Sequence, residues 1–245
     1  MDGLTYYSDE QRARGFSGEL WNDCPWQALQ SNPNEGGTWF DDFKEKPTGR
    51  YTETVATTGT FALDTTAAGT RGGLAIANSG AVTVAQGINV QIPSTAWVPS
   101  DAVRIWFEAY FKFTASSTGP EFFIGLHEVD TSIIAASALS GANMIGFSSV
   151  TDNNVILFTS EKATAAANKA CTTIVDNTFI ALGFKITNLK FAEQYIDGVK
   201  QGPTLRHVTA NIPIVGLTPS LVCQANGTTQ PTVVIDWWRF AWSFR

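Results

Sequence analysis

Glu128 and Asp130 stand two residues apart in the run His127-Glu128-Val129-Asp130-Thr131-Ser132-Ile133, and a pair of carboxylates is what glycoside hydrolysis needs. On a strand both side chains would share a face about 6.6 Å apart along the backbone, close to the carboxyl separation of retaining hydrolases. Other chemistry is thinner. No second histidine follows His127-Glu128 at the spacing of a zinc-protease helix, and His207 stands alone. No Gly-x-Ser-x-Gly elbow occurs, and Gly69-Thr70-Arg71-Gly72-Gly73 does not match a phosphate loop. Cys24, Cys171 and Cys223 are odd in number and outside any Cys-x-x-Cys pattern, so they read as buried free thiols and not as a disulfide framework or zinc site. Asp152-Asn153-Asn154 carries calcium-type oxygens but also suits a turn. Asn226-Gly227-Thr228 matches a glycosylation acceptor and reads more simply as a turn. No metal and no cofactor is expected.

The aromatic residues offer binding chemistry instead. Three of the eight tryptophans fall in the closing run Val233-Val234-Ile235-Asp236-Trp237-Trp238-Arg239-Phe240-Ala241-Trp242-Ser243-Phe244-Arg245. Strict alternation puts Val233, Ile235 and Trp237 on one face of a strand and Val234, Trp238, Phe240, Trp242 and Phe244 on the other. Both faces are apolar, so both require cover, from a second layer or from another chain. Trp97, Trp106 and Tyr110 are candidates for stacking on sugar rings; Trp106 and Tyr110 share the less apolar face of their strand.

These groups must be positioned by a β-rich chain. From Thr38 onward, short alternating runs are separated by turn formers, and the span 103 to 113 alternates cleanly between a face of Val103, Ile105, Phe107, Ala109, Phe111 and Phe113 and a face of Arg104, Trp106, Glu108, Tyr110 and Lys112. Further strands are expected over 51–55, 58–63, 73–76, 82–90, 121–129, 144–149, 155–160, 170–175, 179–187 and 191–196. Asp197-Gly198 has the residues of a two-residue hairpin turn leading into Val199. Only 131–139 and 161–169, short and Ala-rich, suggest helix. Without a fixed repeat, some dozen strands indicate a two-sheet antiparallel sandwich.

Residues 1–36 differ. This stretch carries Tyr6, Tyr7, Phe16, Leu20, Trp21 and Trp26 and ends in the loop formers Gln30-Ser31-Asn32-Pro33-Asn34-Glu35-Gly36-Gly37. It reads as an arm too aromatic to be an inert linker, docking either on its own domain (37–245) or on a neighbouring subunit. The 245 residues include 44% hydrophobic and 16% charged, with a net charge of −6 and no Lys/Arg cluster, which argues against binding to nucleic acid. No apolar run approaches the roughly 20 residues of a membrane helix, and the first residues have no basic and apolar regions of a signal peptide.

Trp39-Phe40-Asp41-Asp42-Phe43, the run Phe179-Ile180-Ala181-Leu182-Gly183-Phe184-Lys185-Ile186 followed by Phe191-Ala192-Glu193-Gln194-Tyr195-Ile196-Asp197-Gly198, and the closing Val234-Ile235-Asp236-Trp237-Trp238-Arg239 together resemble the concanavalin A-like (laminin G-like) jelly roll, particularly versions in tailed-phage structural proteins. The resemblance covers roughly residues 38–245. It implies a fold shared by lectins, carbohydrate-binding modules, family 16 glycosidases and phage particle components. Glu128-Val129-Asp130 resembles only the first half of the family 16 Glu-x-Asp-x-(x)-Glu strand; Ser132 and Ile133 stand where the second Glu belongs and neither can protonate a leaving oxygen.

The expected function is therefore a phage virion structural protein, a capsid decoration protein on the head surface, synthesised in the host cytoplasm. It would bind the major capsid protein and itself, with a trimer as first guess, and Tyr6, Tyr7, Phe16, Trp21, Trp26, Trp238, Phe240 and Trp242 are interface candidates, with Trp237 also a candidate anchor. The alternative is a carbohydrate-binding module using Trp97, Trp106 and Tyr110, for which a glycan is the partner. A glycosidase resting on Glu128 and Asp130 ranks last, and the expectation is that the protein is not an enzyme.

Overall fold

The computed structural model describes residues 17–45, 49–64, 74–81, 83, 86–94, 98–114, 119–135, 138–140, 143–150, 154–202, 205–206, 211–227 and 230–244. Among the described residues, two short helices, α1 (Gly18–Trp21) and α2 (Trp26–Ser31), precede the strands. The strands are β1 (Gly36–Asp41), β2 (Thr52–Ala56), β3 (Thr60–Leu63), β4 (Ala75–Asn78), β5 (Gly87–Gln91), β6 (Val103–Thr114), β7 (Glu121–His127), β8 (Ile134–Ala135), β9 (Ala138–Leu139), β10 (Met144–Ser149), β11 (Val155–Lys162), β12 (Ala165–Thr173), β13 (Ile180–Thr187), β14 (Phe191–Ile196), β15 (Val199–Lys200), β16 (Leu205–Arg206), β17 (Thr218–Gln224) and β18 (Thr232–Phe244). They build a nine-stranded sheet, ordered β15-β14-β13-β6-β18-β4-β3 with β1 on β18 and β16 on β14, and a seven-stranded sheet, ordered β12-β11-β10-β7-β17-β5-β2. Every strand pairing is antiparallel, which makes the molecule the all-β jelly-roll sandwich expected.

Between the sheets lies one aromatic-rich core. The inward face of β6 (Ile105, Phe107, Phe111, Phe113) meets Phe122, Phe147 and Phe158 of the opposite sheet, and rings such as Phe107 and Phe184 stack 5.2 Å apart. Burying each such side chain stabilises the fold by about 1.5–3 kcal/mol. The Asp-Gly hairpin is present: Asp197 (φ 48°) and Gly198 (φ 80°) join β14 to β15, both in the left-handed region that a type I′ turn demands.

Three expectations change. First, β18 does not alternate strictly, because its register on β6 slips between Ile235 and Trp237. The extra residue Asp236 is a β-bulge, which shifts the phase of everything after it. Trp238 and Phe240 therefore continue the core face begun by Val233 and Ile235, while Trp237 turns outward with Arg239 and Ala241. Second, the described residues of 131–139, and 161–169, are not helical. Ile134–Ala135 and Ala138–Leu139 pair as the two short strands β8 and β9, and Ala165–Thr173 is a strand paired along β11. Ala163 (φ 57°) turns the chain there, so cross-strand pairing overrides the helix preference of the Ala run. Third, the helices occur in the arm, whose described part packs on its own sheet.

Candidate functional site

Two covered surfaces, one on each sheet, gather the polar and aromatic chemistry of the molecule. On the outside of the nine-stranded sheet, register aligns Phe40, Arg239, Glu108, Gly183 and Tyr195 in one row and Ala241, Trp106, Lys185 and Glu193 in the next. Residues 17–31 lie on these rows. Ser17 starts α1 by accepting the Leu20 N–H at 3.1 Å, as an N-cap serine does, and its own N–H donates to Glu108 at 3.1 Å. Leu20 sits over Gly183, where an added Cβ would stand 2.5 Å from Leu20 Cδ2.

Glu108 is the electrostatic centre of this dock. Its buried carboxylate accepts Trp21 Nε1–H at 2.8 Å and Arg239 Nη2–H at 3.0 Å. Burial pushes its pKa up, and Arg239, Trp21 and the Ser17 N–H oppose that push by stabilising the charged form. The Arg239 guanidinium lies 4.0 Å above the Trp21 ring and 5.5 Å from that of Trp237, a cation–π arrangement in a desolvated place. Asp23 fastens the far end, accepting Trp106 Nε1–H at 3.1 Å and Lys185 Nζ–H at 2.9 Å. Trp26 meets Trp21 edge-on at 5.3 Å.

The outside of the seven-stranded sheet is covered by residues 128–135, with 138–140 beside them. Here Gln91, Ser220, Gly125, Gly146 and Thr159 share one row, and Asn89, Val222, Phe123 and Ser148 the next. Gly146 leaves room for the Phe123 ring, whose Cζ would lie 2.9 Å from a Cβ on Gly146. Ile133 and Ile134 close over Phe123, Met144 and Val222. Side-chain amides pin the covering backbone: Asn89 Nδ2 donates to Asp130 O (2.7 Å), Gln91 Nε2 to Glu128 O (3.0 Å) and Gln224 Nε2 to Ile134 O (3.1 Å), while Gln91 Oε1 accepts the Asp130 N–H (3.0 Å). Beneath them Asn89 Oδ1, Gln224 Oε1 and His127 Nε2 are buried without hydrogen-bond partners.

Glu128 and Asp130 belong to this cover and serve its geometry. Glu128 accepts Asn143 Nδ2–H at 3.0 Å, and Asp130 Oδ1 accepts the Ser132 N–H at 2.8 Å in a local turn. His127 is a buried ring on the underlying strand. Among the described residues no group of three or more His, Cys, Asp or Glu side chains could hold a metal ion. Cys24 and Cys223 are buried and free, each pushed up to about 12 by desolvation; Cys171 is free and half-buried.

The sequence-based candidates divide as follows. Trp21, Trp238 and Phe240 are buried within the monomer, and Trp26 and Trp242 are partly covered by it, so their cover comes from this chain. Trp106, proposed for sugar stacking, is corrected: it is 0% exposed beneath the arm. Tyr110 is half-buried and stacked with Phe179 at 4.9 Å and Trp237 at 5.9 Å. Tyr6, Tyr7, Phe16, Trp97, His207, Gly69–Gly73, Asp152 and Asn153 lie outside the described residues. Sequence reading missed the Glu108–Arg239 pair, although Arg239 is a lone charge between the aromatics of the closing strand, and the amides Asn89, Gln91 and Gln224, which carry no local signature. A cavity of about 170 Å³ also opens between Ile174, Phe179, Ile180 and Ile196 at one edge of the sandwich; its carboxylate, Asp197, accepts the Ala181 N–H.

No protein-family model and no curated protein matches the chain. Solved structures do resemble it. A protein of unknown function from Shewanella oneidensis MR-1 aligns with TM-score 0.58 at 13% identity over 98% of this chain and 95% of that one. Arcelin-5, a lectin-like defense protein from Phaseolus vulgaris, aligns with TM-score 0.59 at 10% identity over 86% and 100%. A carbohydrate esterase of the Shiga toxin-encoding bacteriophage phi24B aligns with TM-score 0.51 at 16% identity over 78% and 89%. The chain thus has the fold of concanavalin A-like lectins.

Proposed function

We propose that the protein is a non-catalytic structural component of a phage particle, a decoration protein that sits on the outer surface of the head, binds the major capsid protein and assembles with copies of itself, a trimer being the first state to test. The observation that supports this reading most is the double cover. Residues 17–31 lie on one sheet and residues 128–135 on the other, so both outer faces carry a cover and the edges and loops remain for partners. Its Glu128 and Asp130 carboxylates are occupied in holding a loop. The resemblance to a protein of a bacteriophage agrees with a phage origin. In this reading the chain is made in the host cytoplasm and ends on the virion. Native mass measurement of the purified protein tests the assembly: a stable oligomer is expected, and a monomer at all accessible concentrations would contradict it.

A second reading, binding of carbohydrate, is favoured by the amides Asn89, Gln91 and Gln224 clustered on a sheet of a lectin-type sandwich. Trp97 and Tyr110 remain its stacking candidates. A glycan array with reproducible hits that vanish in Gln91→Ala would favour this reading over the first.

A further inference from the structure

His127 is the one described histidine, and it lies under the cover of the seven-stranded sheet. Its ring is 0% exposed, meets Phe123 edge-on at 5.6 Å, and shares a row with Thr218, Met144 and Glu161. Nδ1 is 2.8 Å from Glu128 O, the carbonyl of the first covering residue. That carbonyl can only accept, so Nδ1 carries the proton and Nε2 presents a bare lone pair, buried and without a partner. A second proton on this ring would place a cation with an unmet N–H in an apolar pocket of Phe123 and Met144.

The cover itself is held lightly. Apart from Ile133 and Ile134, it is held by hydrogen bonds from the neutral amides Asn89, Gln91 and Gln224 and by Asn143, whose carbonyl accepts the Glu128 N–H and whose Nδ2 donates to the Glu128 carboxylate; each neutral bond is worth about 0.5–1.5 kcal/mol. Moving it aside would let water reach Nε2 and relieve a protonated ring.

We infer that residues 128–135 form an acid-released strap, closed over the amides Asn89, Gln91 and Gln224 while His127 is neutral and opened when the ring takes up a proton. The charged and titratable groups that face the ring are Glu128 and Asp130 on the strap and Glu161 two strands away on β11; β17 contributes neutral Thr218 and β10 neutral Met144. Glu128 and Asp130 favour protonation, but desolvation outweighs them and holds the ring below its ordinary value. The sign follows. A depressed histidine contributes closure that is complete above the ordinary pKa of about 6.5 and is lost progressively as pH falls below it.

Hydrogen exchange on the intact protein tests this at the Glu128, Asp130 and Ser140 amides, which are bonded to Asn143 O, Gln91 Oε1 and Ile133 O. After correction for intrinsic pH dependence, opening should rise about tenfold for each unit by which the ring is depressed between pH 7.5 and 5, and the core amides of β6 should not change. His127→Gln should abolish the response. Equal strap protection at both pH values overturns the inference, as does an undiminished response in His127→Gln, which would assign it to Glu161. Should that variant fail to fold, NMR titration of the wild-type His127 ring decides: a value at or above the ordinary one refutes the strap, and a depressed value accompanied by shifts in Glu128 and Asp130 supports it.

Discussion

Replacing Glu108 by alanine removes the anion at the centre of the arm dock and leaves Arg239, 6% exposed, with a buried charge. Three donors lose their acceptor together: Ser17 N–H, Trp21 Nε1–H and Arg239 Nη2–H. Breaking one partner of a buried ion pair costs about 3–5 kcal/mol, and at about 2–4 °C per kcal/mol in a chain of this size the melting temperature should fall by roughly 6–20 °C. Much of that cost is the stranded charge and not the lost attraction. The double variant Glu108→Leu, Arg239→Met, which removes both charges and keeps apolar volume, should therefore recover at least half of the loss. Urea unfolding followed by tryptophan fluorescence gives both values, and limited proteolysis within residues 17–35 reports whether the arm has lifted. A single-variant loss under about 1 kcal/mol, within the range of exposed ion pairs, would refute the dock. A double variant no better than the single would refute the role of the stranded charge.

Gly183→Val should displace Leu20, whose Cδ2 would be 2.5 Å from the new Cβ, and make residues 17–35 protease-sensitive while the sandwich stays folded; an arm as resistant as wild type contradicts the seat. Trp238→Ala should cost about 3–5 kcal/mol, because the side chain is 1% exposed in the core, and a loss under 1 kcal/mol in urea unfolding would place it elsewhere. Cys24 and Cys223, with thiols pushed up to about 12, should resist alkylation at pH 8 in the native protein and react in urea; labelling of both at the free-thiol rate without denaturant contradicts their burial.

The parts legible in the sequence are those governed by neighbours along the chain. The alternation of 103 to 113 identified the inward face of β6, and Asp197-Gly198 announced its turn because both residues tolerate positive φ. The phase of β18 was not legible past Asp236, since a bulge adds one residue without changing composition. The Ala run at 165–167 favours helix locally and is held as strand by β11 across the hairpin. The two covers were hidden for a different reason. Asn89, Gln91 and Gln224 reach the backbone of residues 128–134 because β5, β17 and β7 are neighbours in the sheet although far apart in the chain, and Leu20 meets Gly183 only once the arm has folded back. Trp106 looked available for sugar because nothing in its strand says what lies above it.

The central claim, that this covered sandwich decorates a phage head, is tested most directly by mixing the purified protein with undecorated heads of the same phage and imaging the particles by electron cryomicroscopy. The account predicts saturable density at repeating positions on the outer shell, with the sandwich edges and loops at the contact and both covers closed. Heads that remain bare at saturating protein would contradict it.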